Sequence, residues 1–123
     1  MAKSLSDTTL DGALNVIKNN ATRQVMCSGE PANYAAVAGV TLATQTIDSS
    51  DFTGPADGDT SGRKLTVNEQ TGVSISSSGT ANHVAYTNGT DTLYAVTTIT
   101  GQAVTSGNTA TVATHDIEIA DPT

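Results

Sequence analysis

Between Arg63 and Ile119 the chain repeats one pattern: a short run in which apolar residues alternate with serine or threonine, closed by a turn that usually holds glycine. Arg63–Val67, Val73–Ser76, Ala81–Thr87, Thr92–Ile99, Thr109–Val112 and His115–Ile119 are such runs. Gln70-Thr71-Gly72, Ser78-Gly79-Thr80, Asn88-Gly89-Thr90-Asp91 and Thr105-Ser106-Gly107-Asn108 stand between them. A period of two puts alternate side chains on opposite faces of an extended strand, so each run has one face to bury and one to leave wet. The pattern predicts a mainly β protein, an antiparallel β-sandwich or barrel-like meander, with one N-terminal α-helix.

Composition separates this reading from disorder. Only 37% of the residues are hydrophobic and 3% aromatic, but only 14% are charged. Disordered chains pair low hydrophobicity with high charge, and that charge is missing here. Threonine fills the gap, and its branched Cβ suits a pleated strand. The length of 123 residues suits one domain. With Phe52, Tyr34, Tyr86 and Tyr94 as the only rings, the core is thin, which favours assembly into a homo-oligomer or onto a larger surface.

Residues 4–20 form the expected helix. Leu10, Ala13, Leu14 and Ile17 recur at helical spacing, Ser6 or Asp7 caps the start, and Asn19-Asn20 stops it through a left-handed residue. Its apolar face is expected to cover a sheet, with docking on another subunit as the competing reading. Residues 24–47 hold the first strands, with Arg23–Ser28 extended, a turn at Gly29-Glu30-Pro31 and a short helical turn at Asn33–Val37. Residues 48–62 read as a long acidic loop, and 63–120 as a β-meander in which Asn88-Gly89 and Ser106-Gly107-Asn108 mark hairpins.

The formal net charge of −7, with basic residues only at Lys3, Lys18, Arg23, Arg63 and Lys64, argues against nucleic acid and against anionic membrane surfaces as partners. No run is long and apolar enough to span a bilayer, and the opening residues do not read as a secretion signal. Cys27 is the single cysteine, so it has no partner in the chain for a disulfide, and it reads as a small semi-buried thiol. Asp57 and Asp59, with Asp48 and Asp51 nearby, offer oxygen ligands of the kind calcium takes, although the spacing is not that of an EF-hand. His83, His115 and Cys27 lack zinc-site spacing. No nucleophile elbow or phosphate-binding loop occurs. The expectation is no catalytic residue, no cofactor and no resident metal. Arg63-Lys64 is expected to neutralise the neighbouring carboxylates, with a charged contact to a partner as the sharper alternative.

Gly54-Pro55-Ala56-Asp57-Gly58-Asp59-Thr60-Ser61-Gly62-Arg63-Lys64 resembles a segment of small structural proteins of tailed bacteriophages. So do Ala81–Gly89, Leu93–Thr97, Gln102–Thr109, Asp116–Pro122 and the opening Leu5–Leu14. The resemblance implies a virion component without catalytic residues. A capsid decoration or cement protein is the first expectation: made in the host bacterial cytoplasm, self-associating, and bound to the major capsid protein on the outer head shell. Leu5, Leu10, Leu14, Asp57, Asp59, Arg63 and Lys64 are its expected contact residues. A tail or fibre module that binds a host surface is the alternative.

Overall fold

The computed structural model describes residues 5–122. Helix α1 spans Asp7–Asn20; Ser4, at the expected start, lies outside the described residues. Ser6 caps it, its hydroxyl accepting the Thr9 N–H at 3.2 Å. Leu10, Leu14 and Ile17 are buried along one stripe. The expected left-handed stop at Asn19-Asn20 is absent: every positive φ in the described chain belongs to glycine. Instead Ala21 turns extended at once, its N–H still bonded to Ile17, and the Asn20 amide closes on the Val16 carbonyl at 2.8 Å.

Strand β1 (Arg23–Cys27) follows directly and becomes the centre of the largest sheet. It pairs antiparallel with β2 (Thr41–Thr46) on one side and β6 (Gly79–Thr87) on the other, and β7 (Leu93–Val104) adds to β6. β1 is covered on both faces. Gln24 and Met26 face the main core, while Val25 and Cys27 face a smaller cluster with Ala85 beneath α2 (Tyr34–Val40). Asn33 caps α2 through its side chain, so the expected helical turn there is a two-turn helix.

The other strands form two smaller antiparallel sheets. β3 (Phe52–Asp57), β4 (Arg63–Val67) and β9 (His115–Ile119) make one in that order, and β5 (Gln70–Ser74) with β8 (Thr109–Val112) the other. Strands take 48% of the chain and no sheet closes into a barrel. Neighbours in sequence are often not neighbours in space: β1 pairs with β6, β4 with β9 and β5 with β8. The Ser106-Gly107-Asn108 turn therefore carries the chain from one sheet to another rather than closing a hairpin. Asn88-Gly89 does close a hairpin, but a longer one than the two-residue type. Only Gly89 has positive φ, and the Asn88 side chain gathers the N–H groups of Thr90, Asp91 and Thr92.

The acidic stretch 48–62 is not one loop. Asp48 and Asp51 cap a 3-10 turn at Ser49–Asp51, and β3 follows, leaving 58–62 as the turn into β4. Phe52, only 4% exposed, anchors this strand in the core, and Pro55 is tolerated because β3 is a sheet edge. One core joins the layers: Leu14 and Ile17 from α1, Met26, Val84 and Tyr86 from the large sheet, and Phe52, Leu65 and Val67 from the sheet beneath the helix. Helix α1 packs against β4 and β3, so the sheet-covering reading of its apolar face holds.

Cys27 is completely buried, and that burial pushes its thiol up to about 11. The thiolate is the reactive form, so Cys27 is expected to resist thiol reagents at pH 8 and to react fully once urea unfolds the chain. Mass spectrometry after timed labelling checks this; rapid labelling of the native protein would contradict the packing.

Candidate functional site

The stretch Gly54–Lys64 folds into the β3–β4 hairpin, with β9 on its other side. Arg63 opens β4 opposite Asp57 in the register, and Lys64 lies opposite Glu118 of β9. The Arg63 guanidinium grips helix α1 with a two-pronged contact: Nε donates to Asp11 Oδ1 at 2.7 Å and Nη2 to Oδ2 at 3.2 Å. Nη1 donates to Asp57 at 2.7 Å, with Asp7 at 3.8 Å. Lys64 Nζ donates to Asp59 at 2.6 Å and lies 3.5 Å from Asp116. Lys18, near the other end of the helix, donates to the Gly54 carbonyl at 2.8 Å. The hairpin is thus tied to the helix at both ends and to β9 at its middle.

This arrangement realises the neutralising role expected of Arg63-Lys64. Asp57 and Asp59 serve different cations, so calcium would have to displace both side chains to bridge them. Among the described residues no three His, Cys, Asp or Glu side chains are placed to hold a metal ion. The expected contact residues divide. Leu10 and Leu14, at 2% and 0% exposure, are core residues, so their place among surface contacts is corrected. Leu5, 47% exposed, and the carboxylates of Asp57 and Asp59 remain on the surface.

The Lys64 ammonium, by hydrogen bond first and charge second, holds the Asp59 carboxyl below its usual range. Asp59 is thus ionised in the fold at a pH where it would protonate in the unfolded chain. The stabilisation is fully present above the ordinary carboxylate range and is lost as pH falls through the lowered folded value. Lys64 is shifted the other way, upward, so its share is lost only at strongly alkaline pH. The melting temperature is expected to fall on acidification below about pH 4, with a smaller fall in Lys64→Met. Added salt should shrink the difference between the two proteins, because these charges are exposed. Scanning calorimetry from pH 7 to 3 at two salt concentrations measures both; identical profiles would contradict the pairing.

Sequence reasoning missed a second polar constellation. The Tyr86 hydroxyl accepts from Gln24 Nε2 at 3.1 Å and meets His115 Nε2 at 2.6 Å, linking the large sheet to β9. His115 Nδ1 faces the Ala113 carbonyl at 2.9 Å, an atom that can only accept, so Nδ1 carries a proton and Nε2 is the nitrogen turned to the Tyr86 hydroxyl. Burial pushes the phenol above its ordinary value, so it stays protonated. No signal in the sequence joins residues this far apart. The arrangement ties the large sheet to the sheet of β9 and reads as an internal brace. No family model, no curated protein and no solved structure matches the chain.

Proposed function

We propose that this chain is a structural, binding-only component of a tailed-bacteriophage virion, and within that class a capsid decoration protein seated on the outer head shell. The observation that carries the reading is the meeting of two resembling segments. Gly54–Lys64 and Asp116–Ile119, distant in sequence, meet in one sheet where Arg63 and Lys64 pair with Ile119 and Glu118, with Lys64 between Asp59 and Asp116. Such a hairpin, stiffened by its own ion pairs, presents Asp57 and Asp59 outward at 91% and 63% side-chain exposure. A basic seam between major capsid subunits is the complementary surface.

The mechanism is linkage. A protein that binds the assembled lattice and not its free subunits stabilises the lattice by the free energy of binding, with no chemical step. Self-association would contribute through β7, an open sheet edge of 12 residues without a charge or a proline. The tail or fibre alternative calls for exposed aromatic platforms, and Tyr86 is fully buried and Tyr94 half-buried.

Heads stripped of this protein provide the test. Purified chain is expected to co-sediment with them at a fixed ratio and to raise their melting temperature. Asp57→Asn with Asp59→Asn is expected to weaken occupancy by about tenfold at low salt, and less at high salt. Deleting 48–64 is not a usable probe, because it removes β3 and the first residues of β4. Immunogold labelling at the tail, with no binding to heads, would overturn the placement.

A further inference from the structure

The face of the large sheet opposite the main core carries a cavity of about 290 Å³ where α2 stops covering it. Its floor is apolar: Val25 from β1 and Val37 from α2 are buried, with Ala35 and Ala38 beside them. Tyr34, Thr44 and Thr87 line it as well, and Arg23 is its one charged side chain.

Arg23 differs from the two basic residues of β4. Twelve acidic residues face five basic ones, and both Arg63 and Lys64 are wrapped in carboxylates. Among the described residues no carboxylate lies within 4.0 Å of Arg23. Its partner is the Thr22 carbonyl, which takes Nη1 at 3.0 Å. Asp91, in the turn beside it, is occupied by Asn88 and Thr92. The guanidinium is also seated. A Cβ built on Gly89 would lie 3.2 Å from Arg23 Cγ and 3.4 Å from Nε and Cζ, so the side chain lies across that glycine. The guanidinium of this half-buried residue, held by one nitrogen and lining an apolar cavity, leaves donors of its planar fork unused.

We propose that this cavity is a binding site for a single carboxylate borne on a small apolar stem. The fork matches the two oxygens of a carboxylate, and Val25, Val37, Ala35 and Ala38 suit the stem. One cation in a chain of net charge −7 does not hold a polyanion, which excludes nucleic acid and polyphosphates as occupants. The same chemistry has two sources: a free short-chain carboxylic acid, or an acidic side chain or chain terminus of a peptide.

The test is a titration of the full chain followed by 15N and methyl NMR. The probes are butyrate, an N-acetylated tripeptide ending in a free alanine carboxylate, the same tripeptide amidated, and inorganic phosphate. Butyrate or the free-acid tripeptide is expected to shift the Arg23 Nε–H and the Val25 and Val37 methyl signals saturably, with the amidated peptide and phosphate inert. The tighter of the two active probes identifies the source. Arg23→Gln is expected to weaken binding by about tenfold or more. Tyr34→Ala, which alters the wall and not the cation, serves as a second variant and is expected to weaken it less. Failure of every carboxylate to saturate these signals in the wild-type chain overturns the proposal, as does binding unchanged in a folded Arg23→Gln protein. Head-shell occupancy is a separate readout, so either result leaves the decoration reading to its own test.

Discussion

Tyr86→Ala is expected to destabilise the chain by about 4 kcal/mol, the range for emptying a large aromatic site in a packed core. Tyr86 has no exposed surface, and its ring lies 6.0 Å, centroid to centroid, from both Phe52 and His115. These neighbours belong to the sheet beneath the helix, and Tyr86 to the large sheet, so the cavity would open where the two layers meet. Tyr86→Phe separates ring from hydroxyl. It keeps the packing and removes the group that holds Gln24 Nε2 and His115 Nε2. Gln24 is 1% exposed and its Oε1 has no partner among the described residues, so its amide would lose its side-chain bond. Stranding such a group costs about 1–3 kcal/mol. Urea unfolding at constant slope measures both values. Equal losses for the two variants would show that the hydroxyl, not the ring, joins the layers. A Phe variant as stable as the wild type would remove the brace from the account.

The elements that could be read from the sequence share a reason: their signal is local. Leu10, Leu14 and Ile17 follow the helical period, and Arg63–Val67, Thr109–Val112 and His115–Ile119 alternate, because burial on one face imposes those periods. β3 escaped because Phe52 is the only large apolar residue in an acidic, glycine- and proline-bearing stretch, and edge strands tolerate that composition. The division into three sheets escaped because pairing between strands fifty residues apart leaves no mark on either strand. The site followed the same rule. Asp57 and Asp59 lie within reach of Arg63 and Lys64 along the chain, so their neutralisation could be anticipated. Asp11 and Asp116, each about fifty residues from its basic partner, could not. Leu10 and Leu14 are core residues and not surface contacts for a related reason: an amphipathic helix shows that one face is covered, and not by what.

Gly62→Ala is expected to cost about 3 kcal/mol, and its effect should reach the surface that we assign to the capsid. Gly62 has φ +69°, a conformation that burdens a residue with a Cβ by about 1–2 kcal/mol. Space adds the larger obstacle. A Cβ there would lie 1.9 Å from the Ile119 carbonyl oxygen and 2.9 Å from Ala120 Cα, both backbone atoms that no rotamer change can clear. Either the 58–62 turn or the end of β9 must move, and Arg63 pairs with Ile119 at that point. Gly72→Ala is the control, since Gly72 has φ +66° with nothing within 4 Å of the added carbon. It should show the conformational cost alone, about 1 kcal/mol. The difference between the two variants isolates the close approach of the turn to β9. Because Asp57 borders that turn and Asp59 lies in it, Gly62→Ala should also lower head occupancy, on the proposed capsid placement, at temperatures where the chain is still folded, and Gly72→Ala should not. Equal stability losses in the two alanine variants would mean that the backbone angle explains both and that β9 does not constrain the hairpin.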